Sequence, residues 1–337
     1  MQKQLLFVLI SLILIAEEIS PPSHEVIEKE LEDAQEKFDA ASKMFNPWYA
    51  GPLLTGSAHT LDPGLYNQQP YLFVFDNYGI YSKSGHSRPI HDLVVVNPVY
   101  IAQTGIVKGW DLSATLQGFY NKQRGKDSVG FGDLPIAFGI ALLQETPYLP
   151  AIKLGLSETF PTGKYRRLNP NNNGLDATGS GSYITTFTLN LSKVVWWITL
   201  HPMSFRASLN YKLPSKVHVK GFNAYGGGYG TNGKVTPGQS FIGNIAFEYS
   251  FTQKWVFATD LSYVYNHKST FRGNPGVSAT GNNASVGVPY NNSFSIAPAI
   301  EYNPYATMGF VGGIWFTVWG TNSFNFISGI LSYTQVF

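Results

Sequence analysis

His86 and Ser87 are of the right types to do chemistry, since a histidine beside a serine hydroxyl is the pairing that activates a nucleophile for acyl-bond hydrolysis. Their spacing argues against it. Adjacent side chains on an extended chain point apart, and no third group that could orient the imidazole is identifiable, so the pair reads as an exposed loop. His24, His59, His91, His201, His218 and His267 show neither i, i+4 nor tight metal spacing. Asn171, Asn172, Asn173 and Asp176 offer the oxygen donors that calcium favours, in competition with ordinary loop solvation. The run Gly226-Gly227-Gly228-Tyr229-Gly230 has the composition of a phosphate loop but neither a following helix nor a Lys-Ser/Thr pair, and it reads as a flexible external loop. The chain has no cysteine, which excludes disulfides, thiolate catalysis and zinc-thiolate sites. No catalytic, cofactor-binding or metal-binding residue is assigned. The reading is of a protein that is not an enzyme and has no nucleic-acid partner.

The remaining chemistry lies in charges embedded in alternating segments, so the elements that position them decide what they do. Only 13% of residues are charged while 15% are aromatic, a balance suited to a surface solvated partly by lipid. Beyond the first twenty residues no run of about 18 apolar residues occurs, so helices do not span a membrane here. A closed barrel then remains as the structure that satisfies its backbone in lipid. From about residue 70 onward, stretches of about ten residues alternate in character. Ala207, Leu209 and Tyr211 oppose Arg206, Ser208, Asn210 and Lys212; Phe241, Ile245, Phe247, Tyr249 and Phe251 oppose Asn244, Ala246, Glu248 and Ser250. Trp255, Phe257, Leu261, Tyr263 and Tyr265 likewise oppose Lys254, Asp260 and Asn266.

Twelve such segments are predicted, near 70–79, 91–104, 108–121, 130–144, 150–160, 182–193, 203–212, 239–251, 254–266, 293–302, 307–319 and 323–336. Ten or fourteen also fit, because the apolar stretch from Val194 to Pro202 is longer than a turn should be. The fold class is therefore all-β: a transmembrane antiparallel up-and-down barrel of about 12 strands, with a short N-terminal amphipathic α-helix. Long polar connections at 161–181, 213–238 and 267–292 follow odd strands, which puts them outside and both termini in the periplasm. Trp110, Tyr120, Trp196, Trp197, Tyr211, Trp255, Tyr265 and Trp319 are placed at interfacial girdles. The inward residues are predicted to include Asp111, Asp133, Lys153, Glu158, Arg206, Lys212, Glu248, Lys254, Asp260 and Glu301, either salt-bridged, as in a Glu248–Lys254 pair, or lining a hydrated pore.

Residues 1–20 have the short apolar core of a secretory signal peptide. Residues 21–46 form an acidic helix, in which Ile27, Leu31, Ala34, Phe38, Ala41 and Phe45 make an a/d stripe capped by Ser23 and ended by Asn46-Pro47. Seven acidic against three basic side chains in 23–45 leave it with four net negative charges. Its stripe must dock inside the barrel as a plug, beneath it, or against a copy of itself to give a homo-oligomer. Residues 47–69 are assigned as a linker and 70–337 as the barrel. Phe337 ends a face shared with Tyr333, Leu331, Gly329 and Ile327, which is similar to the C-terminal signal read by the barrel-insertion machinery, although Gln335 departs from it.

Gly130-Phe131-Gly132-Asp133-Leu134 opening a strand, Ile152-Lys153-Leu154-Gly155-Leu156-Ser157 running into Phe160-Pro161-Thr162-Gly163, and the terminal Phe resemble the outer-membrane transporters associated with the meta-pathway of phenol degradation. The resemblance spans roughly residues 70–337. It implies a barrel in the outer membrane of a Gram-negative bacterium, distantly like the fatty-acid and aromatic-hydrocarbon channels, passing small hydrophobic solutes without a cofactor. The acidic helix is not part of that pattern. No hatch motif of the fatty-acid channels is visible, which weighs against lateral exit. The expected function is a porin-like channel for passive uptake of small hydrophobic or aromatic solutes; the alternative is a structural or surface-interaction barrel with a closed lumen. Twelve strands leave little free cross-section, which favours a narrow conduit.

Overall fold

A computed structural model describes residues 23–44, 48–198 and 200–337, the side chains of 37–44 excepted. It separates into a unit ending at Met44 and a unit beginning at Phe45. In the first, helix α1 (His24–Met44) starts where Ser23 was predicted to cap it: the Val26 N–H reaches the Ser23 hydroxyl at 3.4 Å and the Ser23 carbonyl at 3.0 Å. Ile27 and Leu31 are exposed. Phe38 and Phe45 lie outside the described side chains.

The second unit is an antiparallel barrel. Its strands are β1 (Tyr66–Tyr81), β2 (Ser87–Val107), β3 (Trp110–Gln123), β4 (Lys126–Phe131), β5 (Leu134–Leu143), β6 (Ala151–Phe160), β7 (Ile184–Ile198), β8 (His201–Pro214), β11 (Ser240–Ser250), β12 (Trp255–Asn266), β14 (Asn291–Tyr305), β15 (Met308–Thr321) and β16 (Phe324–Val336). Both β4 and β5 pair with β3, so they are one wall position broken at Gly132-Asp133, and the described residues give twelve positions around the ring. Each predicted strand is present. The ring closes through β1 and β16, with Tyr66 and Phe337 exchanging backbone hydrogen bonds of 3.1 and 2.8 Å. The stretch from Val194 to Pro202 is not a long connection. Strand β7 continues to Ile198, β8 begins at His201, and Leu200 at a φ of 65° makes a tight turn between them.

Alternation does what the lipid requires. Leu154, Leu156, Phe187, Leu209, Ile245 and Leu331 are exposed on the outside, while Lys153, Asn190, Ser208, Glu248, Asp260 and Glu301 are buried within. The three long loops do not wave free. Three short strands in them, β9 (Val217–Lys220), β10 (Asn232–Thr236) and β13 (Thr270–Asn274), form a small sheet whose Val217, Val219 and Val235 are buried against Tyr165, Tyr225 and Phe271. The Tyr225 hydroxyl donates to the Ser180 carbonyl at 2.9 Å, and burial pushes the phenol up to about 12, with Asp133 and Tyr165 adding to it. This sheet is a cap.

The glycine-rich run at 226–230 is part of it rather than a flexible loop. The Gly227 N–H donates to the Ser285 carbonyl at 2.8 Å, Tyr229 and Val277 exchange backbone bonds, and a Cβ added at Gly228 would stand 2.1 Å from the Val277 oxygen. Glycines are there because two loop backbones run side by side. Gly228→Ala is expected to cost the cap about 1–3 kcal/mol, read as faster proteolytic nicking of residues 213–292 at an unchanged barrel unfolding midpoint.

Candidate functional site

The lumen is built from the inward residues of every strand and from a segment that strand periodicity did not reveal. Residues 48–61, assigned to a linker, run without regular structure inside the barrel. An irregular chain there must find partners for its N–H groups, and the buried carboxylates supply them. Glu301 accepts from the N–H of Ala50 at 2.8 Å and of Gly51 at 3.3 Å; Asp260 accepts from Leu54 N–H at 3.2 Å, Thr55 N–H at 2.9 Å and the Thr55 hydroxyl at 2.6 Å. Asn303 donates to the Trp48 carbonyl at 3.0 Å, and the Ala58 N–H donates to the Ser192 hydroxyl at 3.0 Å. Leu53 is buried with Ala258, Ala297, Ala299, Val311 and Ile330. The segment enters beside β14, is deepest at Thr55 and returns along β6 and β7. It is the plug, and Asp260 and Glu301 are its receptors.

A polar clasp fixes the returning end. Lys153 Nζ donates to the His59 carbonyl at 3.1 Å and lies 3.4 Å from Asp111, which also accepts from Gln103 at 2.7 Å. His59 Nε2 stands 3.3 Å from Glu145 in the β5–β6 turn, and Lys193 Nζ stands 3.1 Å from the same carboxylate. Burial opposes ionisation of Glu145, but the hydrogen bonds of His59, the Val194 N–H and Lys193 outweigh it and hold the carboxyl below its ordinary value. A depressed carboxyl stabilises the folded contact above its ordinary pKa, and that stabilisation is lost as pH falls through the lowered one. The contribution of Glu145 to the clasp is therefore expected to be intact at neutral pH and to be lost in acid, as pH falls through its lowered pKa. Ion leak through bilayers acidified on the plug side reads this.

The other predicted lumenal charges sort as follows. Arg206 and Glu248 form a two-point pair, Nε to Oε2 at 2.7 Å and Nη2 to Oε1 at 3.0 Å, and Glu248 also accepts from Ser204 at 2.6 Å. Lys254 is not in the lumen: it is exposed in the turn between β11 and β12, one residue before the strand begins, and so makes no pair with Glu248. Glu158 is also displaced. Lys153 and Glu158 are of opposite parity on a strand whose pairing with β7 is unshifted, so once Lys153 points inward Glu158 shares the outer face with Leu154, Leu156 and Phe160, bonded to the Thr185 hydroxyl at 2.7 Å. Asp133 is buried but serves the cap rather than a pore. Its carboxylate accepts from Gly163 N–H at 3.0 Å, Ser180 N–H at 2.8 Å and Ser180 Oγ at 2.9 Å, while Thr162 Oγ1 donates to the Gly132 carbonyl at 2.7 Å. The two strand motifs noted in the sequence are thus halves of one joint, which ties the 161–181 loop to the break between β4 and β5. Lys212 is inward and only partly exposed.

Opposite the polar wall runs an aromatic one. Tyr71 stacks on Phe73 at 5.5 Å and Phe73 on Phe75 at 6.0 Å between ring centroids; Phe75 meets Trp315 at 5.6 Å and Phe326 at 5.5 Å, edge-on. Phe73, Phe75, Trp315 and Phe326 are half-buried. Tyr71, Phe73 and Trp315 of this row pack against the buried cluster to which Leu53 of the plug belongs. Two spaces flank the plug and cap: a cavity of about 430 Å³ beside the plug, lined in part by Tyr49, Ser57, His59, Arg206 and Asn303, and an open cleft of about 780 Å³ at the loop end.

The sites considered and set aside in the sequence hold no constellation. His86 Nδ1 contacts Ser84 Oγ at 3.1 Å, whereas Ser87 Oγ accepts from Asn325 at 3.0 Å. Asp176 accepts from Lys164 Nζ at 2.6 Å and Asn169 N–H at 2.9 Å, so an ammonium occupies the place a calcium ion would need.

No protein-family model and no curated protein matches this chain. Among solved structures it is similar to the COG4313 outer membrane channel from Pseudomonas putida F1, with 14% identity and a TM-score of 0.63 over 85% of this chain and 100% of that one. The Ralstonia pickettii toluene transporter TbuX aligns at 9% identity and a TM-score of 0.36 over 82% of this chain and 90% of that one, a likeness too weak to argue from. The first similarity shows the fold, a closed antiparallel β-barrel.

Proposed function

We propose that this protein resides in the outer membrane of a Gram-negative bacterium and passes small hydrophobic or aromatic solutes inward without energy coupling, as the outer-membrane transporters of phenol-degrading pathways are thought to do. The observation that carries this reading is the aromatic row Tyr71–Phe73–Phe75–Trp315–Phe326, which faces the inside of a barrel whose outside already has its own apolar face. A lumen needing only to be filled has no use for a line of half-buried rings; a planar solute stacks on each in turn. The mechanism is facilitated diffusion through an amphipathic slot, with the plug as the closed end. Uptake of labelled benzyl alcohol by intact cells tests it, because the lipopolysaccharide leaflet slows apolar solutes. Cells carrying the protein should take up the label several-fold faster than cells without it, and Phe75→Ala combined with Trp315→Ala should remove most of the gain.

The plug in the lumen and the cap built from the loops favour a second reading, a closed barrel that presents its loops to a partner. Under it, neither the aromatic substitutions nor removal of the plug changes solute flux.

A further inference from the structure

Lys212 stands out once the other lumenal charges have been paired. Lys153 has Asp111, Arg206 has Glu248, and Asp260 and Glu301 hold the plug, but among the described residues no carboxylate lies within 4.0 Å of the Lys212 ammonium. Its surroundings are polar and neutral. On its ladder row lie Thr186 of β7, Ser240 of β11, Asn266 of β12 and Asn291 of β14. The last three bond to one another, Ser240 to Asn266 and Asn266 to Asn291, leaving the charge unmatched. A partly buried cation without a counter-charge is costly unless something mobile neutralises it.

Two further observations say what that would be. Strand β8 is six positions from β1 around a ring of twelve, so Lys212 projects from the wall opposite the aromatic row. The open cleft at the loop end has an apolar lining of Ile80, Pro89, Leu93, Leu175 and Phe324, and its ionisable residues are His91 and Arg124, with no carboxylate among its described residues. The lumenal acids Asp111, Glu248, Asp260 and Glu301 already face a wall cation or the plug, Glu301 through one oxygen, while the cleft at the loop end offers His91 and Arg124 beside apolar surface.

We infer that the lumen binds singly charged aromatic acids, the carboxylate on Lys212 and the ring toward the aromatic wall, in preference to neutral aromatics of the same size. This rests on the channel reading above and narrows its solute class. A charge-assisted hydrogen bond in a shielded site gives such a preference, and an apolar slot supplies the part that a simple anion cannot use.

Equilibrium dialysis of the full-length protein in detergent at pH 7.5 and low salt, with benzoate, benzyl alcohol and acetate as probes, tests it. Benzoate is expected to bind at least tenfold more tightly than either of the others. Lys212→Gln should abolish the advantage over benzyl alcohol while leaving benzyl alcohol binding unchanged, and Lys212→Arg should retain it. Benzyl alcohol binding as well as benzoate, or Lys212→Gln binding benzoate like the parent, would overturn the inference and leave the aromatic channel standing. Acetate binding equal to benzoate would overturn the aromatic part of the site. Binding of none of the three would overturn both readings.

Discussion

Deleting residues 48–62 is expected to raise single-channel conductance in planar bilayers at least tenfold over the full-length protein, with the barrel still folded. The segment fills the interior by hydrogen bonds to side chains that belong to the wall, not by any strand pairing that closes the ring. Removing it leaves Asp260 and Glu301 facing the lumen, where water can enter and hydrate them. The ladders of β1–β16 and β1–β2, which begin at Asn67 and Tyr66 respectively, are untouched. Because solvent replaces the plug, the barrel's unfolding midpoint should fall only slightly.

The second large effect is the reverse case, a wall charge that water cannot rescue. Arg206→Met should destabilise the barrel by about 3–5 kcal/mol, because it strands the fully buried Glu248 carboxylate beside the buried Glu301 carboxyl, with Ser204 still donating to it. The pair is replaceable as a unit: Arg206→Met with Glu248→Met should recover most of the loss, since two well-packed apolar groups of similar volume often match a buried ion pair. Unfolding by urea in lipid, followed by tryptophan fluorescence, separates the single from the double variant. Equal losses in both would mean that the guanidinium is holding something other than Glu248.

The barrel was legible because lipid and lumen impose opposite demands on alternate residues. All twelve strands, their parity at Arg206, Asp260 and Glu248, and the loop-length rhythm followed from that one constraint. Glu158 was misplaced because two charges of opposite parity on one strand were both drawn inward, a conflict that counting from Lys153 would have exposed. Lys254 was misplaced by one residue at a strand end, where alternation stops carrying information. The plug was invisible for a different reason. Ala50-Gly51-Pro52-Leu53-Leu54-Thr55-Gly56-Ser57-Ala58 has no period of 2 or 3.6 to detect, since its partners lie 134 to 251 residues away in sequence. A signal was nonetheless present: small residues that let a backbone pass close to a wall, in a chain whose inward acids Asp260 and Glu301 need partners. Asp133 shows the same limit, since nothing in the spacing of Gly130–Asp133 and Phe160–Gly163 says that they meet.

The plug contact at Thr55 and Asp260 also gives the most direct test of the whole account. The natural chain has no cysteine, so Thr55→Cys with Asp260→Cys places a single thiol pair where a hydroxyl now stands 2.6 Å from a carboxylate oxygen. If aromatic solutes pass through the lumen when the plug withdraws, benzyl alcohol uptake by cells carrying this variant should fall to the level of cells lacking the protein when the disulfide forms, and return on reduction. Uptake that is the same in the oxidised and reduced states would show that the solute does not travel past the plug, and would contradict the account.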